Sequence, residues 1–293
     1  MKITSVLKNG VYVLKEKNVD DSFFKARILL AYTLKKPKEY LITHDKDEVD
    51  FDTQVKFYDY LDRLIAGEPL QYITGNQEFM GFNFCVNKDV LIPQPDTELL
   101  VELVEKYVKH INGLEDVDIF ETLDKKKNNN PKLLDLCTGS GAIAISLNKI
   151  LNKSTVYASD ISEKAIEVAI KNAKTNKATI KFILSDLFKN INEKFDIIVS
   201  NPPYIKSDVI NTLSKEVQNE PRLALDGGKD GLDFYRRIIK DAKKHLNDEG
   251  MLFLEIGFDQ RLDVIDILEE NNYKNIISTQ DLSGNDRVLI VGI

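Results

Sequence analysis

The chain has 293 residues, 43% of them hydrophobic and 30% charged, with a formal net charge of −7; this is the balance of a globular protein with enough chain for one large or two modest cores. No stretch approaches the roughly 18 uninterrupted apolar residues of a membrane span, and the start, with Lys2 and Lys8 and no apolar run between them, does not read as a secretory signal. The acidic balance argues against a protein that wraps duplex nucleic acid, because phosphate binding calls for a basic footprint.

Residues 1 to about 70 read as helices. Asp20-Asp21-Ser22 offers N-caps ahead of Phe24, Ile28, Ala31 and Leu34, an apolar stripe of period 3.5. Pro37 opens a short segment through Leu41 and Ile42. Asp52 or Thr53 then caps a helix with Val55, Tyr58, Leu61 and Leu64-Ile65 on one face, ended by Gly67 and Pro69. Packed together, these stripes make a small bundle.

From residue 71 to 93 the character changes. Tyr72-Ile73, Phe79, Phe82, Phe84, Val86 and Val90-Leu91-Ile92 are punctuated by Gly75, Gly81 and Asn87, which predicts a β-hairpin. Pro93 and Pro95 close it, and Asp96 or Thr97 caps a helix through Leu100, Leu103, Val104 and Tyr107. Glu121 to Asn130, with Lys125-Lys126-Lys127 followed by three asparagines, is a polar, solvated loop with no assigned function.

After Pro131, short apolar runs alternate with helical patterns. Strands are expected at Lys132–Cys137, Thr155–Ser159, Ile180–Leu184, Asp196–Ser200 and Met251–Ile256, with helices starting near Ala142, Ser162, Leu232 and Asp259. Continuous apolar strands separated by helices imply a parallel sheet covered on both faces. Asn275–Thr279 and Arg287–Val291 flank Ser283-Gly284-Asn285, a hairpin turn, so an antiparallel pair finishes the sheet.

Two loops of this α/β region carry chemistry. Asp135-Leu136-Cys137-Thr138-Gly139-Ser140-Gly141 follows the first sheet strand and opens a helix. Gly139 and Gly141 allow a tight turn and close approach to a ligand, and Asp160, about 20 residues on, can accept from ribose hydroxyls. The same glycines would serve a plain βα turn, and Gly139-x-Gly141-x-x-Ala144 also fits a dinucleotide fingerprint, so this loop specifies a nucleoside-containing cofactor and no more. Asn201-Pro202-Pro203-Tyr204 leaves the strand that ends at Ser200, at the carboxyl edge where open α/β sheets bind ligands. An amide or exocyclic nitrogen is a poor nucleophile but has two N–H donors; the Asn201 side-chain oxygen and the Pro202 carbonyl can accept both, while Tyr204 offers a flat face for a planar group. The two prolines stiffen the turn and hold Asn201 extended.

Cys85 and Cys137 form no CxxC pair, and His44, His110 and His245 lack the spacing that puts two on one helical face, so neither a disulfide nor a metal site is expected. With no Ser or Cys paired to a histidine, no covalent enzyme intermediate is expected.

Taken in order, several short segments resemble the peptide-chain-release-factor glutamine N5-methyltransferase family. They are Gly67-Glu68-Pro69-Leu70-Gln71-Tyr72-Ile73-Thr74-Gly75, Glu78-Phe79, Gly81, Leu91-Ile92-Pro93-Gln94-Pro95-Asp96-Thr97-Glu98, the glycine loop, Ser185-Asp186-Leu187-Phe188, Asn201 to Tyr204, Glu220 to Gly228 and Leu254-Glu255-Ile256-Gly257. The resemblance implies a class I, Rossmann-like methyltransferase fold with a seven-stranded, mostly parallel sheet, preceded by a small helical bundle and a β-hairpin linker. Its expected domains are 1–72 (helical, holding the release factor), 73–94 (hairpin) and 95–293 (methyltransferase). It implies S-adenosyl-L-methionine as methyl donor and S-adenosyl-L-homocysteine as product. Cys137, Thr138, Gly139, Ser140 and Gly141 would line the methionine and ribose part, Asp160 would bind the ribose, Asp186 and Leu187 would flank the adenine, and Asn201 would face donor and substrate. Catalysis would fall to Asn201, Pro202 and Tyr204, with Pro203 completing the grip on the release factor's Gly-Gly-Gln glutamine. The expected enzyme is a cytoplasmic monomer without stable nucleic-acid or membrane binding. Two departures stand out: the family usually has arginine where Gln94 stands, and often glycine where Cys137 stands. A ribosomal-protein glutamine methyltransferase, an adenine N6 or guanine N2 methyltransferase, and a non-catalytic binding module are the rival readings.

Overall fold

The computed structural model describes residues 1–115, 117–121 and 127–293. Helices α1 (Ile3–Glu16), α2 (Ser22–Leu34), α3 (Tyr40–Thr43), α4 (Phe51–Ile65) and α5 (Leu70–Thr74) precede a hairpin of β1 (Asn76–Phe79) and β2 (Phe82–Cys85). Then follow α6 (Glu98–Ile111), β3 (Lys132–Leu136), α7 (Ala142–Ile150), β4 (Thr155–Asp160), α8 (Glu163–Asn176), β5 (Ile180–Leu184) and β6 (Phe195–Ser200). The chain closes with α9 (Lys215–Gln218), α10 (Arg222–Leu225), α11 (Asp233–His245), β7 (Leu246–Glu255), α12 (Arg261–Glu270), β8 (Lys274–Gln280) and β9 (Asp286–Gly292). Residues 122–126 of the lysine- and asparagine-rich loop lie outside the described residues.

Two compact units result, one of Met1–Asn76 with Leu213–Asn219, the other of Gln77–Thr212 with Glu220–Ile293. The first is a helical unit whose core holds Ile3, Val6, Leu14, Leu29, Leu30, Phe57 and Leu61. Gly10 of α1 admits the Phe57 ring: a Cβ there would stand 2.5 Å from its Cζ. Several local expectations are corrected here. The buried face of α2 is Ala26, Leu29, Leu30 and Ala31, with Phe24 exposed, because the helix begins at Ser22 and its apolar residues are spread around it. Asp50, not Asp52 or Thr53, caps α4, its carboxylate accepting from Thr53 N at 2.8 Å and Thr53 Oγ1 at 2.7 Å. Val55 is consequently exposed, and Phe57, Leu61 and Leu64 form the buried stripe. Tyr72-Ile73 lies in α5 rather than in a strand; the hairpin proper turns at Met80-Gly81, both with positive φ (50° and 74°), as a tight two-residue turn requires.

The second unit is built on a seven-stranded sheet of order β5-β4-β3-β6-β7-β9-β8, parallel except where β9 pairs antiparallel with β7 and β8. Period-2 alternation sends neighbouring apolar residues to opposite faces. Leu133, Ile197, Val199 and Phe253 pack in one core with α6 and α7; Leu134, Ile198, Leu252 and Leu254 pack in the other with α11 and α12. Strand order reverses direction at β3, which sits between β4 and β6. That reversal leaves a crevice at the carboxyl ends of β3 and β6. Because Leu136 registers with Ser200, the residues that follow, Cys137 and Asn201, leave the sheet side by side. No described helix is long and apolar enough to cross a membrane.

Candidate active site

A cavity of about 290 Å³ occupies this crevice, bordered by Cys137, Gly139, Asp160, Asp186, Leu187, Asn201 and Pro203 among the residues expected from sequence. Others that border it were not anticipated: Lys88 to Leu91, Pro221, Leu223, Ala224, Phe234 and Arg237. Leu91, Pro221, Leu223 and Ala224 fall in segments whose order resembles the family's, but apolar residues carry no chemical signature of their own, and Lys88 to Val90, Phe234 and Arg237 lie outside those segments.

The glycine loop is held from beneath by Asp135, which is fully buried on β3. Its Oδ2 accepts from Thr138 Oγ1 at 2.6 Å and from Ala144 N at 3.1 Å, tying the loop to the first turn of α7. Burial pushes its carboxyl up to about 7, against those two bonds. Gly139 N donates to Asp160 Oδ2 and Ser162 N to Asp160 Oδ1, both at 2.9 Å. One carboxylate thus joins the glycine loop to the end of β4, and burial raises its pKa. Gly139 (φ +54°) has no atom of the other described residues within 4 Å of where a Cβ would stand, its two chain neighbours aside, so its free side opens on space. Gly141 (φ +81°) instead abuts Ile145 and Ala169 and serves packing. Thr138, Ser140 and Gly141 do not border the cavity: Thr138 bonds Asp135, and the Ser140 carbonyl accepts from Asn172 Nδ2. Cys137 adopts φ +62°, a left-handed conformation that favours glycine, and its thiol is pushed well up by burial.

On the far side, Asp186 pairs with Arg237 of α11 at 2.5 Å, and Leu187 is buried. Apolar Leu187 and Phe234 with polar Asp160 and Asp186 make a lining suited to a nucleoside: a flat base against hydrocarbon, hydroxyls against carboxylates. The donor set contains no group of three His, Cys, Asp or Glu suited to a metal among the described residues.

Asn201 is half-buried, and its Nδ2 donates to Thr97 Oγ1 at 3.1 Å. That bond overturns the capping role expected for Thr97, whose own backbone is already helical (φ −69°, ψ −17°) and makes no side-chain cap. Asp96, the alternative cap, instead pairs with Arg287 at 3.2 Å. Turning its NH2 to Thr97 leaves the Asn201 oxygen as the acceptor available at the cavity's edge. Pro202 and Tyr204 do not border the cavity; Tyr204 packs against the α11 and α12 core, and its carbonyl accepts from Gln260 Nε2 at 2.9 Å. Gly227 and Gly231 let the chain pass tightly against the Tyr204 backbone, where a Cβ would meet it at 2.7 Å and 2.4 Å. Their turn therefore braces the Asn-Pro-Pro-Tyr loop. Glu220 sits nearby, its Oε2 accepting from Ile92 N at 2.8 Å with the carboxyl raised to about 7 by burial. Gln94 bonds its own neighbour, Nε2 to Ile92 O at 3.0 Å.

Comparisons with known proteins bear on the family and the fold. The family model of the methyltransferase small domain matches residues 119–227, and that of the PrmC N-terminal domain matches residues 5–75. The release factor glutamine methyltransferase of Clostridium acetobutylicum is 40% identical over 99% of this chain and 98% of its own length. That of Agrobacterium fabrum is 38% identical over 94% of this chain and 92% of its own. Among solved structures, the hMettl16 catalytic domain bound to a hairpin of the MAT2A 3′UTR shares the fold at 17% identity, with a TM-score of 0.54 over 80% of this chain and 81% of that one.

Proposed function

Since the chain belongs to the release factor glutamine methyltransferase family, we propose that it methylates the side-chain amide nitrogen of the glutamine in a release factor's Gly-Gly-Gln loop, using S-adenosyl-L-methionine and releasing S-adenosyl-L-homocysteine. The observation that carries the reading is the Asn201 amide, held by Thr97 beside a cavity whose other walls are Gly139 and Asp160.

The residues present fit the methyl donor. Gly139 leaves open the space a side chain would fill, Asp160 faces it as a hydroxyl acceptor, and Leu187 with Phe234 offers an apolar surface for a base. When bound, S-adenosyl-L-methionine supplies a methyl group already made electrophilic by its sulfonium. What remains for the protein is orientation, worth roughly 7–11 kcal/mol in favourable cases. Asn201 Oδ1 accepts one N–H of the glutamine amide and the Pro202 carbonyl the other, so the nitrogen is fixed and its electron pair turned toward the donor. Pro203 borders the cavity, and Tyr204, packed against the core, anchors the loop. The helical unit holds the release factor outside the loop's reach. The enzyme acts as a monomer in the cytoplasm, where translation factors are found. A net charge of −7 favours a protein acceptor over a nucleic acid.

The test incubates the protein with methyl-labelled S-adenosyl-L-methionine and a release factor, intact or with its Gly-Gly-Gln glutamine changed to alanine. Label should enter only the intact factor. Equal labelling of both would refute the acceptor assignment.

A further inference from the structure

Beneath Asn201 lies a polar cluster that the proposed reaction does not use. Glu255 ends β7 and is 2% exposed, and its Oε2 has no hydrogen-bond partner among the described residues. A buried carboxylate oxygen without a partner is costly, so one that persists calls for an explanation. The groups facing it are few and specific. Thr97 and Asn201 lie close enough to favour its charged form by side-chain hydrogen bonding. Arg287 favours that form as well, while Asp96 opposes it. Tyr204 and Tyr235 are near enough to feel its charge, and Tyr235 Oη donates to the Glu255 backbone carbonyl at 2.9 Å. Arg287 is itself already engaged by Asp96 and Asp281. It shares its charge with both carboxylates and does not neutralise Glu255 alone.

This arrangement bears on a choice that Asn201 alone cannot make. A side-chain amide is nearly symmetric in shape, and a half-turn about its last bond exchanges oxygen and NH2. Presenting NH2 to the acceptor's NH2 would be useless, because both are donors. Thr97 Oγ1 takes the Asn201 NH2, but a hydroxyl can also donate, and it would accommodate the flipped amide equally well. An adjacent carboxylate only accepts. It draws the Thr97 hydroxyl proton and the Asn201 NH2 inward, which leaves Asn201 oxygen outward.

We propose that Glu255, acting with Thr97, is the positioning pair that keeps the Asn201 amide turned oxygen-outward for the acceptor nitrogen. The inference rests on the acceptor reading above and names the residues that set that site's preference for an NH2 group. Neither residue touches substrate; both act through Asn201. The device works only while Glu255 is ionised, and burial raises its carboxyl to about 7. Below that value the protonated group becomes a donor and the restraint on the amide is lost.

The experiment uses the full chain, a release factor and labelled S-adenosyl-L-methionine, with wild type, E255Q, T97V and T97S. Turnover, KM for the release factor, cofactor affinity by calorimetry and melting temperature are measured from pH 6 to 9. Wild-type turnover should fall as pH drops through about 7. E255Q and T97V should lose at least tenfold in turnover at pH 8, with KM and cofactor affinity within about threefold of wild type. E255Q should also show no step near pH 7, and T97S, which keeps the hydroxyl, should retain most of the activity. Wild-type turnover and pH profile in E255Q would overturn the proposal. So would parallel losses of cofactor affinity and melting temperature, which mark a merely structural role. Should E255Q not fold, the T97V and T97S pair and the wild-type profile decide. A wild type that binds cofactor but labels no release factor overturns the acceptor reading and this inference together, whereas an active wild type with insensitive variants overturns the inference alone.

Discussion

Asn201 and Asp160 do different work, and single substitutions should separate them. Asn201 contributes an acceptor at the edge of the cavity, while its NH2 turns inward to Thr97. Changing it to alanine removes the group that orients the acceptor nitrogen while leaving the glycine loop intact. Turnover should drop on the order of 100-fold, the scale seen when one preorganised hydrogen-bonding group is lost, while calorimetry shows nearly unchanged cofactor affinity. Equal loss of both would mean that Asn201 holds the fold instead. Asp160 has the opposite profile, since both of its oxygens accept backbone N–H groups, from Gly139 and Ser162. Asp160→Ala should weaken cofactor binding at least tenfold. It should also destabilise the protein by about 1–3 kcal/mol, the cost of stranding buried donors, which a melting curve will register. The two residues were also unequally legible. Asn201 announced itself by chemistry, an amide between a strand and two prolines, and Asp160 by its spacing from the glycines. Thr97 and Glu255 gave no such signal. Thr97 looked like a helix cap because threonine ahead of a helix usually is one, and its actual partner lies 104 positions away in sequence.

At the scale of elements, the sheet was readable because its inner strands β3, β4, β6 and β9 are buried on both faces and appear as largely apolar runs. Ile180–Leu184 coincides with its expected span, and the other strands differ from theirs mainly at their ends, most of all at β7, which starts at Leu246. The helical unit was harder. Phe24 and Val55 are apolar yet exposed, so a stripe chosen by hydrophobicity rotated the buried face of α2 and α4 away from its true position. Tyr72-Ile73 looked strand-like because two residues are too few to reveal a period. The glycine loop shows what local pattern does and does not convey: its two glycines are indistinguishable in sequence but not in the structure. Gly141→Ala would place a Cβ 3.0 Å from Ile145 and 3.1 Å from Ala169, forcing α7 and α8 apart at a left-handed position. It should lose about 1–3 kcal/mol of stability by overpacking. Gly139→Ala carries only the left-handed strain, about 1–2 kcal/mol, but sets a methyl group in the space proposed for the cofactor. Its cofactor affinity should fall at least tenfold while its melting temperature stays above that of Gly141→Ala. The reverse ranking in either measurement would contradict the division of labour drawn between the two glycines.

Across the whole molecule, three buried carboxyl groups of the sheet-containing unit share one property. Asp135, Glu220 and Glu255 are each raised to about 7, with burial the largest cause in every case. In the unfolded chain such groups titrate near 4, so between about pH 4 and 7 the folded state holds more protons than the unfolded one. Stability must then fall as pH rises through that window. At one pKa unit per 1.36 kcal/mol, each group fully shifted amounts to roughly 3–4 kcal/mol, a sizeable part of the 5–15 kcal/mol typical of a domain. The carboxylates shifted the other way, Asp50, Glu68, Glu193, Asp226, Asp230 and Asp281, are lowered mainly by their hydrogen bonds and lose that contribution only below the ordinary carboxylate range. Urea unfolding should therefore show a higher midpoint at pH 5.5 than at pH 8. The chain has no tryptophan, so circular dichroism is the practical probe. Glu220→Gln, which keeps an acceptor for Ile92 N, should flatten the pH slope by its share without touching the acceptor site. A midpoint that rises with pH, or a slope unchanged by Glu220→Gln, would show that these groups titrate as in water. The direction has a functional side. Glu255 is proposed to orient Asn201 only when ionised, the state in which it weakens the fold most, so the pH range that favours turnover is the one in which the second unit is least stable. A site held in tension with its scaffold in this way is a recognised cost of activity, and measuring both profiles on the same preparation should show them crossing near pH 7.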